Sequence, residues 1–251
     1  MHSVPDSKQQ PSPDHRPKMA EKKRLLMRTR LLDAAMRVFA EPGGTTPVID
    51  DVIREAKVSR GTFYRYFDSL DQVLVALGQE LSNQMTTDIL PLYDILDEPW
   101  KRFSVGFRLF LVRALLDRKW AGFVTRVDAW PHHALVAEYM SRDLASGVAS
   151  GEMKLQRIDA AADFLMGAAA HGIQAILQNV EKANEYMDAC VHMAMASVGY
   201  DQAACQRNVD FSLAYLQAWG TGALALPRPV WAMNLNSREG QAFLAYRRIA
   251  T

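Results

Sequence analysis

An all-α fold is what this sequence predicts, with a three-helix N-terminal unit followed by a larger helical one. Apolar residues recur at three- and four-residue spacing from about residue 21 to residue 220, the period of one helix face. Pro91, Pro99, Pro131, Gly151 and Gly199 punctuate that pattern at helix-length intervals. No stretch alternates apolar and polar residues as a half-buried strand would, and no internal repeat emerges.

Residues 1–19 hold Pro5, Pro11, Pro13 and Pro17 among polar neighbours. They offer too little apolar surface to offset the entropy of ordering, so a disordered extension is expected there. The first helix starts near Glu21, with Leu31, Leu32, Ala35, Val38 and Phe39 on one face. Pro42, Gly43 and Gly44 end it, since proline cannot continue a helix and glycine tolerates positive φ. Thr46 followed by Pro47 reads as the next helix start, because a threonine oxygen accepts from free N–H groups and proline suits a first turn. That helix runs to about Ala56. Lys57, Val58 and Ser59 leave room only for a tight turn before a second short helix, Arg60 to about Tyr66.

Ser69 can cap a longer helix through Gln84 or beyond, with Val73, Leu74, Leu77 and Leu81 on one face. Further helical segments follow near 99–118, 119–129, 132–150, 157–179, 183–199 and 202–220. Pro227 and Pro229 mark a stop, and the tail has room for one helix around 239–249.

The 251 residues are 49% hydrophobic and 23% charged, enough for one large core or two modest ones. No apolar run reaches the roughly 18 to 20 residues of a membrane span; Arg108 and Arg113 interrupt 105–116. The N-terminus lacks the apolar stretch of a secretory signal. Two cysteines, Cys190 and Cys205, do not make a disulfide scaffold. A cytoplasmic protein with no membrane partner is expected. The net charge of +1 is silent about nucleic acid. Its distribution is not: Arg16, Lys18, Lys22, Lys23, Arg24, Arg28 and Arg30 are opposed only by Glu21. Such a cluster attracts phosphates, although a solvated helix face has the same composition.

Two short helices joined by a three-residue turn make a helix-turn-helix. Its second helix must be short, exposed and rich in donors to read the major groove, and its first must brace it. Here Ser59 and Thr62 offer hydroxyls, Arg60 and Arg65 guanidinium groups, and Tyr64 and Tyr66 phenols. Gly61 removes a side chain where backbone can approach DNA. Phe63 and Phe67, four apart, can anchor the helix to a core. No acidic residue falls between Ala56 and Phe67.

Residues 28–81 resemble the TetR family of bacterial regulators. The likeness rests on Arg28, Leu31, Leu32, Ala34, Ala35, Val38 and Phe39, then on Asp51, Val52, Ala56, Val58 and Ser59. Its densest part is Gly61 to Phe67, followed by Ser69. The sequence departs from the family at Ile53, where a small alanine is usual, at Lys57, where glycine is usual, and at Leu70, where lysine is common.

The resemblance implies that Arg60 and Thr62 read bases, with Lys57 and Arg65 beside them. It implies that Ser59, Tyr64, Tyr66 and Thr46 hold phosphates and set register. The basic stretch 22–30 adds phosphate contacts or a minor-groove arm. Tyr64 and Tyr66 also fit plain packing at the junction with the next helix.

The resemblance further implies a small-molecule effector inside the second domain and a homodimer on palindromic operator DNA. Phe107, Phe110, Trp120, Phe123, Trp130 and Met166 supply large apolar groups, with Arg126, Asp128, His132, His133 and His171 as polar anchors. An apolar cavity with few polar groups is the usual small-ligand site; the same aromatics fit a plain core. Of these, Phe107, Trp120, Phe123, Arg126, Trp130, His133, Met166 and His171 are the candidate ligand residues.

Segments 157–179 and 183–199 look like the family's dimerising pair. Ala160, Ala161, Phe164, Gly167, Ala168, His171, Gly172, Ala175 and Ile176 form one face, met by Tyr186, Cys190, Met193 and Met195. An intrachain core is the alternative.

The expected organisation is then a disordered extension (1–19), a helix-turn-helix DNA-binding domain (20–68), a helical effector-binding and dimerisation domain (69–226) and a C-terminal tail (227–251). No enzymatic motif stands out: Gly-x-Ser-x-Gly, Gly-x4-Gly-Lys and Gly-x-Gly-x-x-Gly are all missing. His132 and His133 are adjacent and point about 100° apart on a helix, so no metal site and no cofactor is expected. The expected function is a repressor released from its operator by a small apolar or aromatic effector. The alternatives are a DNA-binding regulator without an effector, and a head turned to protein binding.

Overall fold

The computed structural model describes residues 15–40, 47–125 and 135–247, all helices and connections, with no strand among them. The chain divides into two compact units, Met1–Leu74 and Val75–Thr251.

The first unit holds α1 (His15–Ala40), α2 (Ile49–Ala56), α3 (Arg60–Tyr64) and the start of α4 (Leu70–Tyr93). α1 begins inside the stretch expected to be disordered; residues 1–14 lie outside the described residues. Pro17 does not prevent this, because N–H groups in a first turn have no intrahelical partner to lose. Leu31, Leu32, Ala35 and Phe39 bury the predicted face of α1 against α2, and Phe63 and Phe67 join that core.

α2 starts at Ile49, two residues later than the Thr46–Pro47 signal suggests. The Asp51 carboxylate accepts from the Val48 N–H at 3.0 Å, so the cap comes from within the helix. Thr46 lies outside the described residues. The cap on α4 is as expected, with the Gln72 N–H donating to Ser69 Oγ at 3.2 Å. α4 does not break at Pro91 but passes through it to Tyr93. Only one backbone bond is lost in that last turn, and the Asp94 N–H still reaches the Leu90 carbonyl at 2.9 Å.

The second unit takes in most of α4 and adds α5 (Pro99–Leu116), α6 (Arg118–Val124), α7 (Leu135–Ala149), α8 (Ile158–Leu177), α9 (Ala183–Ser197) and α10 (Gln202–Thr221). α5 is the hub, packing on α6, α7, α8, α9 and α10. That explains why its sequence is apolar on every side.

Two of the three arginines within α5, Arg108 and Arg113, are buried rather than solvated. Arg108 pairs with Asp188 of α9 at 2.7 Å and donates to Ser212 Oγ of α10 at 2.9 Å. Arg113 lies over the rings of Trp120 and Trp231, and burial lowers its pKa to about 10. Gly151 and Gly199 end α7 and α9 with positive φ, as their positions predict.

The C-terminal tail carries more structure than one helix. A 3-10 helix (Val230–Asn236) precedes α11 (Arg238–Ala245), which the Ser237 hydroxyl caps. Trp231, Leu235 and Phe243 are buried, so the tail belongs to the core of the second unit. α8 is long and apolar enough, by composition, to cross a membrane, although one third of it is buried inside the protein. Asp159, Asp163 and His171 divide its apolar residues, so no unbroken apolar run marks it in the sequence.

Candidate nucleic-acid interface and internal cavity

The helix-turn-helix is built around a strained turn. Lys57 sits in the left-handed region at φ 53°, ψ 50°, where the family usually has glycine. A side chain there costs about 1–2 kcal/mol. Backbone bonds hold the turn: the Lys57 N–H reaches the Arg54 carbonyl and the Val58 N–H the Ile53 carbonyl, each at 3.2 Å. Arg30 of α1 donates to the Lys57 carbonyl at 3.5 Å. Ile53 is half-buried and accommodated. The first two departures from the family pattern therefore leave the motif intact.

α3 is aimed by its anchors. Phe63 and Phe67 are buried, with ring centroids 6.1 Å apart. Ser59 caps the helix by accepting from the Thr62 N–H at 3.1 Å. With that face fixed inward, Ser59, Arg60, Gly61, Tyr64 and Arg65 are exposed, and Thr62 and Tyr66 are half-buried.

Tyr64 packs edge-on against Phe63 yet remains 45% exposed, so its hydroxyl end is free of the core. A Cβ at Gly61 would meet nothing within 4 Å. The glycine thus answers no packing need inside the head.

The side chains are also mutually organised. Ser59 Oγ and Thr62 Oγ1 are 2.8 Å apart, and Arg65 donates to Thr62 Oγ1 at 3.3 Å. Arg60 lies 3.4 Å from Asp50 at the start of α2, a partner the sequence reading did not name. Arg28 is stacked over Phe67 at 5.7 Å, so one cation of the basic stretch serves packing.

The second unit contains a partly open cavity of about 40 Å³ between α4, α5, α7 and α8. Its walls include Ile89, Phe103, Phe107, Phe110, Met140 and Met166, and its polar groups belong to Thr86, Tyr93, Tyr139 and Asp143.

Two of the eight candidate ligand residues, Phe107 and Met166, line it. Trp120 and Phe123 are buried elsewhere in the core, Trp120 against the Arg113 guanidinium at 4.6 Å. His171 is exposed, because α8 turns Leu165, Ala169, Ile173 and Ile176 inward. Arg126, Trp130 and His133 lie outside the described residues.

The polar groups missed from the sequence are Tyr93, Arg102 and Asp143. Asp143 is ion-paired with Arg102 at 2.9 Å, and Arg102 lies over the Tyr93 ring at 5.5 Å. Burial raises the Asp143 carboxyl against the opposing pull of Arg102. Burial, then the Asp143 charge, raises the Tyr93 phenol. Gly106 was a usable signal: a Cβ there would collide with the Tyr93 hydroxyl, and an isolated glycine inside a helix often marks close approach.

The expected dimerising face splits in two. Ala160, Phe164, Gly167, Ala168 and His171 point outward, with Phe164 63% exposed. Gly172 and Ile176 point inward, Gly172 against Leu111, and Ala161 and Ala175 are half-buried. On α9, Met193 is exposed, Tyr186 and Cys190 are half-buried, and Met195 is buried. Helical periodicity explains the split, since no helix shows all those positions on one side.

Residues 31–77 match the family described as "Bacterial regulatory proteins, tetR family". The chain is 26% identical over 207 residues to "HTH-type transcriptional regulator BetI" of Rhizobium meliloti (strain 1021), covering 80% of this chain and 95% of that one. It is 40% identical over 58 residues to "HTH-type transcriptional regulator HbdR" of Aromatoleum sp. (strain CIB), a match spanning 23% of this chain and 24% of that one. Among solved structures, RolR in complex with resorcinol aligns with a TM-score of 0.61 at 26% identity, over 75% of this chain and 95% of RolR. FadR of Bacillus subtilis, in complex with stearoyl-CoA, aligns with a TM-score of 0.54 over 68% of this chain and 97% of FadR. At 16% identity that likeness concerns the fold.

Proposed function

This chain belongs to the TetR family of bacterial regulatory proteins and is a transcriptional regulator, and on that footing we propose that it is a homodimeric repressor released from a palindromic operator by a small apolar or aromatic effector. The observation that carries the DNA half is α3 itself. Phe63, and Phe67 just beyond the helix, are buried while Ser59, Arg60, Gly61, Tyr64 and Arg65 face outward. Arg60 and Thr62, with Lys57 and Arg65, are assigned to base edges. Ser59, Tyr64, Tyr66 and Thr46 are assigned to phosphates, and the basic residues of α1 add to the same field.

The exposed α8 face around Phe164 supports a two-fold interface, because an exposed phenylalanine among small residues permits close approach of a second copy. Two heads related by a two-fold axis match a palindromic site.

The effector half rests on the cavity, walled by aromatic and apolar groups with a few buried polar atoms. RolR holds resorcinol, which supports a one-ring ligand here. One observation favours a regulator without an effector: about 40 Å³ is small.

The deciding experiment footprints the purified protein on DNA flanking its own gene, then repeats the assay with a panel of small aromatics. A protected two-fold site that one compound releases supports the proposal. Protection insensitive to every compound supports the effector-free reading. No protection on any DNA removes the repressor assignment.

A further inference from the structure

We infer that the cavity of the second unit selects a neutral hydroxyl group on a small apolar or aromatic body, the ligand O–H donating to Asp143 and its oxygen accepting from the Tyr93 hydroxyl. This rests on the effector reading above and specifies the ligand's chemistry.

Asp143 is a charged side chain only 7% exposed that borders a mostly apolar cavity. One of its oxygens pairs with Arg102 at 2.9 Å. The other has no hydrogen-bond partner among the described residues. An ionised carboxylate only accepts hydrogen bonds, so the group it asks for must bring a proton. A second carboxylate placed beside it would meet like-charge repulsion in a poorly solvated space.

Tyr93 supplies the complementary half. Its ring is fixed between Arg102 and the bare backbone of Gly106, and the residue lines the same cavity. That hydroxyl makes no hydrogen bond among the described residues. Burial and the neighbouring carboxylate keep the phenol protonated, so it can donate. A hydroxyl satisfies both at once, donating a hydrogen bond to Asp143 and accepting one from Tyr93. Around them Phe103, Phe107 and Ile89 accept an aromatic or aliphatic body and offer nothing polar.

Titration calorimetry of the intact protein with phenol, anisole, toluene and benzoate tests this. Phenol should bind about ten- to 150-fold more tightly than anisole or toluene, the range for a hydrogen bond to a charged partner, and benzoate should bind weakest. Asp143→Asn should weaken phenol at least about tenfold and leave toluene unchanged. Tyr93→Phe should weaken phenol severalfold. If Asp143→Asn does not fold, the phenol–anisole comparison on the unaltered protein decides.

Benzoate binding as tightly as phenol would overturn the proposal and make Arg102 the anchor. Equal affinity for phenol, anisole and toluene would overturn it and leave an apolar effector standing. Silence with all four also overturns it; the effector reading is then judged separately, by whether any compound releases the operator.

Discussion

On the proposed assignment base reading depends chiefly on Arg60, whose guanidinium is paired with Asp50 in this structure. Their closest atoms are 3.4 Å apart, with the two side chains 64% and 58% exposed. An exposed pair of that kind contributes about 0–1 kcal/mol. To grip a guanine, Arg60 must leave Asp50, and the carboxylate then stands near phosphates that repel it. Asp50→Asn removes both penalties. Operator affinity should therefore rise by up to about fivefold per head, the equivalent of about 1 kcal/mol.

The gain should be equal on sites carrying one wrong base, because Asp50 competes for Arg60 without choosing its target. Arg60→Ala should instead cost about 1–3 kcal/mol on the operator and much less on the variant site at the base it reads. Fluorescence anisotropy on matched and single-variant duplexes separates the two effects. Asp50 also lies in the first turn of α2, where a negative charge stabilises the helix by about 0.3–1 kcal/mol, so thermal melts should accompany the titrations. Weaker binding or reduced discrimination by Asp50→Asn, in a protein that melts normally, would refute the reasoning and make Asp50 a residue that orients Arg60 for reading.

Other expectations follow from the same geometry. If a dimer neutralises roughly six to ten phosphates, log affinity should fall against log salt with a slope of about −0.9 per phosphate; a flat response would point to protein as the partner of the head. Phe164→Glu should raise the dimer dissociation constant at least about a hundredfold, since two apolar side chains are lost per interface, and sedimentation showing an unaltered dimer would move the interface elsewhere. Asp188→Ala leaves Arg108 buried without its carboxylate and should cost about 3–5 kcal/mol, a fall in Tm of roughly 6–20 °C at about 2–4 °C per kcal/mol. Arg108→Met combined with Asp188→Leu should recover most of that loss, and a drop under 2 °C for the single change would mean that the pair is not desolvated.

The reading head was legible because its determinants are local. Phe63 on α3 and Phe67 just beyond its end are four apart, and their burial decides that Arg60 and Tyr64 face out. The turn length likewise follows from the positions of Ala56 and Arg60. The start of α2 was misplaced because two caps competed within a few residues, and Asp51 supplies the one seen. The Arg60–Asp50 pair was not legible, since nothing in the spacing says which way a long exposed side chain lies.

The cavity was harder to read, because what lines it depends on helices distant in sequence. Phe107 borders open space while Trp120 lies against Arg113, although both look the same in a hydrophobicity pattern. Asp143 and Arg102 are brought together only by the packing of α7 on α5.

The size of that cavity bears on how an effector would act. About 40 Å³ is well below the roughly 150 Å³ that accepts a benzene ring. A one-ring ligand therefore enters only if walls move, and Met140 and Met166, flexible and polarisable, are the walls suited to yield. On the effector reading, such a ligand stabilises an expanded second unit at the expense of the compact one. It weakens operator binding only insofar as DNA prefers the compact form, because a ligand indifferent to two states shifts neither. A coupling of about 1–3 kcal/mol would lower operator affinity by about five- to 150-fold, and operator DNA must weaken ligand binding by the same factor. Filling the cavity by Ala169→Leu should mimic the ligand's pressure on the walls and loosen the operator with no compound present. Tight operator binding by that variant, together with lost ligand binding, would place the coupling in the ligand's polar contacts rather than in the expansion of the walls.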